Sequence, residues 1–234
     1  TTTFRNWYWL FFLTFATHIL LDCCTAYGTQ VFQPFADTRV AFNNIAVADP
    51  AYTIPFLICV VIMASMRRNT RGRTIVNWIG IGISCAYLLF TIFNKKYVDG
   101  VFERAMQHRD LQPTRWRTTP SILNNILWEC IAEDKEHYYI AQYSLFDADP
   151  NLHHVNVLTK HDSIRNELAP EEDYQKLLWF SDGYLAEFPT DSGIFLSDIR
   201  YGGFTDTVDN FNDMFLNFRA RQINGEWKFE EYQV

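Results

Sequence analysis

The first 94 residues contain no Lys and no Glu. Their charge comes from six Arg and three Asp, a net of +3. The rest of the chain holds the other 14 basic and 24 acidic side chains, a net of −10, and the two sums give the overall −7. Such asymmetry predicts two parts that live in different solvents. Other absences remove function classes. There is no CxxC pair and no Cys/His spacing of the zinc-finger kind, and five Cys do not make a disulfide framework. Cys23, Cys24, Cys59 and Cys85 sit in apolar stretches, and Cys130 stands alone in the later part. No phosphate loop, dinucleotide fingerprint or G-x-S-x-G elbow occurs, and there is no repeat or low-complexity tract. The acidic balance after residue 94 speaks against a nucleic-acid partner for that part.

What the first part does contain is apolar runs. One extends from Trp7 to about Tyr27, a second from Ile54 to Met66 (from Ala51 if its polar start is counted), and a third from Ile75 to Phe93. A span needs ~20 largely apolar residues. The first and third meet that length, and the second, flanked by both, reads as a short or tilted span. Arg67, Arg68, Arg71 and Arg73 crowd the connection between the second and third runs, which assigns that loop to the cytoplasm. Arg5 agrees, and Lys95 and Lys96 oppose it. Residues 28–53 and everything after the third span then lie outside. The expected location is a bacterial inner membrane, crossed several times, with an extracytoplasmic soluble domain. The chain opens Thr-Thr-Thr-Phe-Arg, and His18 and Asp22 interrupt any signal-peptide pattern, so further sequence is expected upstream. The loop from Gly28 to Thr53 contains Val31-Phe32-Gln33-Pro34-Phe35, which suits a segment at the membrane surface, and Asp49-Pro50 marks a stop before the next helix.

After Asn94 the pattern changes. Val98–Gln107 reads as a short helix, Pro120–Glu133 as a helix running into a strand, and His137–Phe146 as a strand closed by Asp147-Ala148-Asp149-Pro150. Pro170–Phe180 reads as a helix opened by Glu171, Glu172 and Asp173, and Gly193–Arg200 alternates like a strand. Phe215–Ile223 and Glu226–Tyr232 flank Asn224-Gly225, a hairpin signal. The fold class is therefore multi-domain: an all-α transmembrane region over 1–94, then a soluble α+β domain over 95–234. His153, His154 and His161 read as surface histidines, because neighbours on a strand point to opposite faces. Asp147, Asp149 and Asp162 read as turn residues. Trp179, Phe180, Tyr184 and Phe188 read as core.

His18 and Asp22 sit inside the first apolar run at i and i+4, on one helical face. An imidazole and a carboxylate at membrane depth need a metal ion, a mutual hydrogen bond or a water-filled cavity to offset their cost. Imidazole plus carboxylate is also a common part of a zinc shell. Two ligands are too few, so others must come from elsewhere. Asp49 is a further ligand or a general base, or else a helix N-cap before Pro50. Arg39 binds an anionic substrate group, or sits at headgroup level. Gly28 is expected to end the first helix.

These residues carry a resemblance. Thr17-His18-Ile19-Leu20-Leu21-Asp22, then Thr25-Ala26-Tyr27-Gly28, then Gln33-Pro34-Phe35-Ala36-Asp37-Thr38-Arg39, then Ala48-Asp49-Pro50 resemble the YdjM-like family. Its members are bacterial inner-membrane proteins described as metal-dependent hydrolases, some of them as LexA-binding. The match covers about residues 14–50, and Leu123–Trp128 and Tyr138–Asp147 more loosely resemble the extension of longer members. The resemblance implies that His18 and Asp22 bind metal, with Asp49 beside them and Arg39 at a matching position. It also implies upstream His and acidic ligands, since no His precedes His18 here. The expectation is a hydrolase that uses a divalent metal, with zinc the ion its ligand types suit, on an ester or phosphoester of a lipid or other membrane-associated small molecule. The rivals are a membrane-anchored sensing or scaffolding protein without enzymatic activity and, less well matched by three spans, a transporter.

Overall fold

The computed structural model describes residues 3–147, 152, 154–203 and 207–232. Asp149 and His153 lie outside the described residues. The chain forms two compact units, one of residues 1–97 with 122–125, the other of 98–121 with 126–234.

The helical unit is built on α1 (Phe4–Cys24), α2 (Pro50–Ser65) and the first part of α3 (Arg71–His108). At about 1.5 Å per residue, the 21 residues of α1 measure about 31 Å, the thickness of a hydrocarbon core. Its side chains from Phe4 to Leu20 are exposed, and only Cys23 and Cys24 at its end are buried. A helix that is apolar all round and shows those side chains outward has lipid as its matching solvent. α1 and α3 are long and apolar enough to cross a membrane, and α2 is apolar but shorter. α1 stops at Cys24, earlier than expected. Its last carbonyls are taken by the following loop: Phe42 N–H donates to Cys23, and Asn44 and Ile45 N–H to Cys24. Gly28 is thus not the helix cap. It lies at φ +73° where Thr29 pairs with Val40, and a Cβ there would come within 2.6 Å of the Val40 carbonyl oxygen.

The expected separate helix over Val98–Gln107 is the continuation of α3. Asn94-Lys95-Lys96-Tyr97 ends the apolar pattern but holds neither Pro nor Gly, so the solvent changes while the backbone carries on.

The second unit contains two four-stranded antiparallel meanders. The first is β1 (Arg115–Pro120), β2 (Leu127–Glu133), β3 (His137–Ser144) and β4 (Asn156–Thr159), paired in that order. After α4 (Asp162–Leu168) and α5 (Glu172–Phe180) comes the second, β5 (Leu185–Thr190), β6 (Gly193–Asp198), β7 (Asn217–Ile223) and β8 (Glu226–Tyr232). Of the region expected to run from helix to strand over Pro120–Glu133, the strand is present as β2, but the helical part is a hairpin connection between the end of β1 at Pro120 and the start of β2 at Leu127. Asp162 starts α4 rather than a turn. β2 explains the layering. Trp128, Cys130 and Ala132 pack with Val98, Val101, Phe102 and Ala105 of α3, while Ile131 packs with Tyr138, Tyr184 and Ile199 on the side of the second sheet. Both faces of β2 are covered, so period-2 alternation is invisible in its sequence. α4 and α5 cover the second sheet through Leu168, Tyr174, Leu185, Leu196 and Ala220.

Charges are buried with partners. Glu133 is held by Arg115 Nε and Lys160 Nζ, both at 2.7 Å, and Glu187 by Arg165 Nε at 2.8 Å. Asp198 and Arg200 form a doubly hydrogen-bonded pair with side chains 0% and 1% exposed. Burial, and after it the neighbouring Arg200 charge, push the Arg117 guanidinium down. Burial pushes the Tyr184 hydroxyl up to about 12, against the pull of Arg115 and Arg117.

Candidate functional site

His18 and Asp22 project from the same face of α1, as their spacing requires. His18 Nε2 lies 3.4 Å from Asp22 Oδ2, and the side chains are 72% and 44% exposed. That separation is an ion-pair distance, long for a hydrogen bond. Both side chains are thus largely open at the helix surface. Asp22 also starts the turn that closes α1, since its carbonyl accepts from Thr25 N–H at 3.0 Å and from Thr25 Oγ1 at 2.8 Å. Arg39, the expected substrate residue, stacks its guanidinium over Tyr27 at 5.2 Å from the ring centroid.

Asp49 is 2% exposed and fully engaged. Oδ1 accepts from Ala51 N–H at 2.9 Å, the N-cap of α2, with Pro50 at the first helical position. Oδ2 accepts from the Tyr87 hydroxyl of α3 at 2.7 Å. The structure thus shows the cap, one of the three roles that the sequence offered, and adds a partner. Among the described residues, no three His, Cys, Asp or Glu side chains come together as a metal cluster, so Asp49 does not complete a shell with the helix pair.

These positions, from the His18–Asp22 face to the Asp49 cap, fall within a family match. Residues 1–98 match the YdjM inner membrane protein family. No curated protein and no solved structure matches the chain. The match and the two apolar helices of spanning length together support a membrane location for the helical unit. The second unit lies almost wholly outside the matched residues.

The helical unit also holds polar partners that its sequence does not single out, Tyr87, Thr91, Asn94 and Asn125, around the loop residue Asn44. Asn44 Nδ2 donates to Thr91 Oγ1 at 2.8 Å, and Asn125 Nδ2 donates to the Asn44 carbonyl at 2.8 Å. Asn94 Nδ2 in turn donates to Asn125 Oδ1 at 2.6 Å and to its carbonyl at 2.8 Å. With Tyr87 and Asp49 these form a buried polar layer on the helical unit, drawn from the loop, from α3 and from residues 122–125. Thr91 and Tyr87 lie one helical turn apart, with Asn94 three residues on, which is the only sequence signal they give. The layer fixes the loop that carries Arg39, Asn44 and Asp49.

Among the weaker candidates, Asp147 closes a turn by accepting from Ser144 N–H. His154 is exposed, and His161 precedes α4. Tyr184 is buried in the core as read, Phe188 packs beside it, and Trp179 is 46% exposed.

Proposed function

We propose that the YdjM region is a membrane-embedded, metal-dependent hydrolase acting on an ester or phosphoester of a membrane-associated small molecule or lipid. One observation carries this reading: an imidazole and a carboxylate stand 3.4 Å apart on one face of an apolar helix, with side chains 72% and 44% exposed. At membrane depth that arrangement is costly unless something compensates it. The donors fit part of a zinc-like shell, one nitrogen and one carboxylate oxygen on the same face. His18 and Asp22 would hold the ion, with further ligands from outside the pair. A bound divalent ion supplies a water that ionises near neutral pH.

Asp49 is the carboxylate assigned to proton transfer. The Tyr87 hydroxyl orients it, and the cap to Ala51 fixes its rotamer. Arg39 takes the negative group of the substrate, with Tyr27 as the platform that holds its guanidinium flat. The Arg-rich connection between α2 and α3 faces the cytoplasm in this reading, which puts the Arg39 loop and the sheet-rich unit outside. A second reading has its own support. Both Asp49 oxygens already serve the architecture, as they would in an anchor for a sensing or scaffolding domain with no catalytic task.

Metal analysis of the complete natural protein, purified in mild detergent, separates the two. The hydrolase requires about one divalent ion per chain or more, lost in His18→Ala and Asp22→Ala while the fold persists. A metal-free protein whose two variants fold normally establishes the anchor.

A further inference from the structure

The helical unit carries two uncharged apolar tips. The first is the turn Val31–Phe35, where Phe35 is 93% exposed and Val31 and Phe32 are about half exposed. Several of its polar groups are paired within the loop. Phe35 and Ala36 N–H donate to the Phe32 carbonyl, Gln33 Nε2 donates to Asp37 Oδ1 at 3.2 Å, and Gln30 Nε2 donates to the Asp37 carbonyl at 3.2 Å. The second is Ile122–Leu123, also about half exposed, where Asn124 Nδ2 donates back to the Ile122 carbonyl. Leu123 is held at φ +63°, a conformation that a branched side chain adopts only under constraint. The constraint is at hand, because Asn125 is pinned by Asn94 and in turn holds Asn44.

Both tips hang from the ends of spans. The first belongs to the loop whose Phe42, Asn44 and Ile45 N–H groups cap the last carbonyls of α1. The second is tied to Asn94, which closes the apolar run of α3. We propose that these tips are interfacial anchors that insert into the headgroup–acyl boundary of the bilayer in which α1 and α3 sit. Three features point to lipid. The tips continue the surface of spans that already need it. The Val31, Gln33 and Phe35 N–H groups of the first tip and the Ile122 carbonyl of the second are bonded within their own loops, which lowers the cost of insertion. Aromatic side chains beside charged ones, here Phe35 beside Asp37 and Arg39, are the usual make-up of a membrane interface. A second copy is a poorer fit, since five part-exposed side chains fall far short of the ~20 residues a side of a stable protein interface. The proposal rests on the membrane placement of this unit and is independent of the hydrolase reading.

The test uses nitroxide labels on the whole chain reconstituted in phosphatidylethanolamine/phosphatidylglycerol vesicles. Labels go on Phe35→Cys, Leu123→Cys and Asp37→Cys in a Cys85→Ala background, the other native cysteines being buried. Phe32→Cys replaces Phe35→Cys should that variant lose its circular dichroism. Anchored tips collide several-fold more with oxygen than with a water-soluble nickel chelate, while Asp37 shows the reverse. Nickel exceeding oxygen at a tip overturns the proposal for that tip. Exclusion of both reagents overturns it as well, since the tip is then covered by a second copy or another protein.

Discussion

Two ion pairs, one in each unit, show how differently the two parts handle charge. Asp198 and Arg200 are sealed in protein, 2.6 Å apart, with Arg200 Nε and Nη2 and its backbone N–H all aimed at the carboxylate. Both oxygens of that carboxylate accept from Arg200, as an interior of low dielectric demands. His18 and Asp22 are 3.4 Å apart and open on the outer side of an apolar helix. Water could solvate such a pair at no great cost, but hydrocarbon cannot. The first pair is complete and has no further chemistry to offer. The second is incomplete where completeness matters most, and that incompleteness is what makes it a candidate site.

The sharpest way to break this comparison is to open the closed pair. Arg200→Ala leaves the Asp198 carboxylate buried with its main partner gone, and the expected loss is about 3–5 kcal/mol of unfolding free energy. Urea unfolding of the whole chain in detergent, followed by near-ultraviolet circular dichroism, measures it. A loss below about 1 kcal/mol would mean that water already reaches the pair. The helix pair behaves oppositely. In detergent, His18→Ala and Asp22→Ala on this exposed face are expected to shift unfolding by no more than about 0.5 kcal/mol in metal-free protein, and by more only if the proposed metal is bound.

Asp49 stands between these extremes, buried yet assigned to chemistry. Asp49→Ala removes the cap of α2 and leaves the Tyr87 hydroxyl without its acceptor, an expected cost of about 1–2 kcal/mol in thermal unfolding of the detergent-solubilised protein. Asp49→Asn keeps an oxygen for Ala51 N–H and should lose much less. If Asp49 also accepts a proton in catalysis, Asp49→Asn abolishes hydrolysis in a protein that still melts near the parent temperature. Loss of stability and activity in step, in both variants, would reduce Asp49 to an architectural residue.

The helical region was legible because its signals are long and local. Apolar runs, the i,i+4 pair and Asp49-Pro50 each declare themselves within a few residues. The hairpin at Asn224-Gly225 and the helix at Glu172–Phe180 were legible for the same reason. β2 was only half seen, because its two faces are covered by different partners and its residues read as one apolar block. β1, β4, β5 and α4 escaped, since charged residues such as Arg115, Arg117, Arg165 and Glu187 look like solvent-facing ones until a partner elsewhere in the chain is found. Within the site, the shared face of His18 and Asp22 and the cap made by Asp49 were legible locally. Tyr87, Thr91, Asn94 and Asn125 owe their roles to contacts 31–81 residues away, which one sequence without its fold does not report.

The smallest effect concerns a carboxylate of the sheet unit that is paired yet half open. Burial alone would raise the Asp134 carboxyl, but hydrogen bonds from the Tyr139 hydroxyl at 2.7 Å and from Glu136 and His137 N–H outweigh it and hold it below the usual aspartate range. The same contact, and after it burial, push Tyr139 up to about 12. The folded state therefore binds the Asp134 proton less readily than the unfolded chain does. Its contribution is present above the unfolded aspartate pKa and is lost as pH falls through the lower folded value. Tyr139→Phe removes one of three donors, so acid unfolding begins at a higher pH and stability near neutrality falls by at most about 1 kcal/mol. Asp134→Asn flattens that acid limb, and Tyr139→Phe added to it should cost little more. An unchanged acid midpoint in Tyr139→Phe would show that the two backbone N–H groups suffice. The graded comparison would then narrow to two classes of charge, the sealed and the open, with nothing between them.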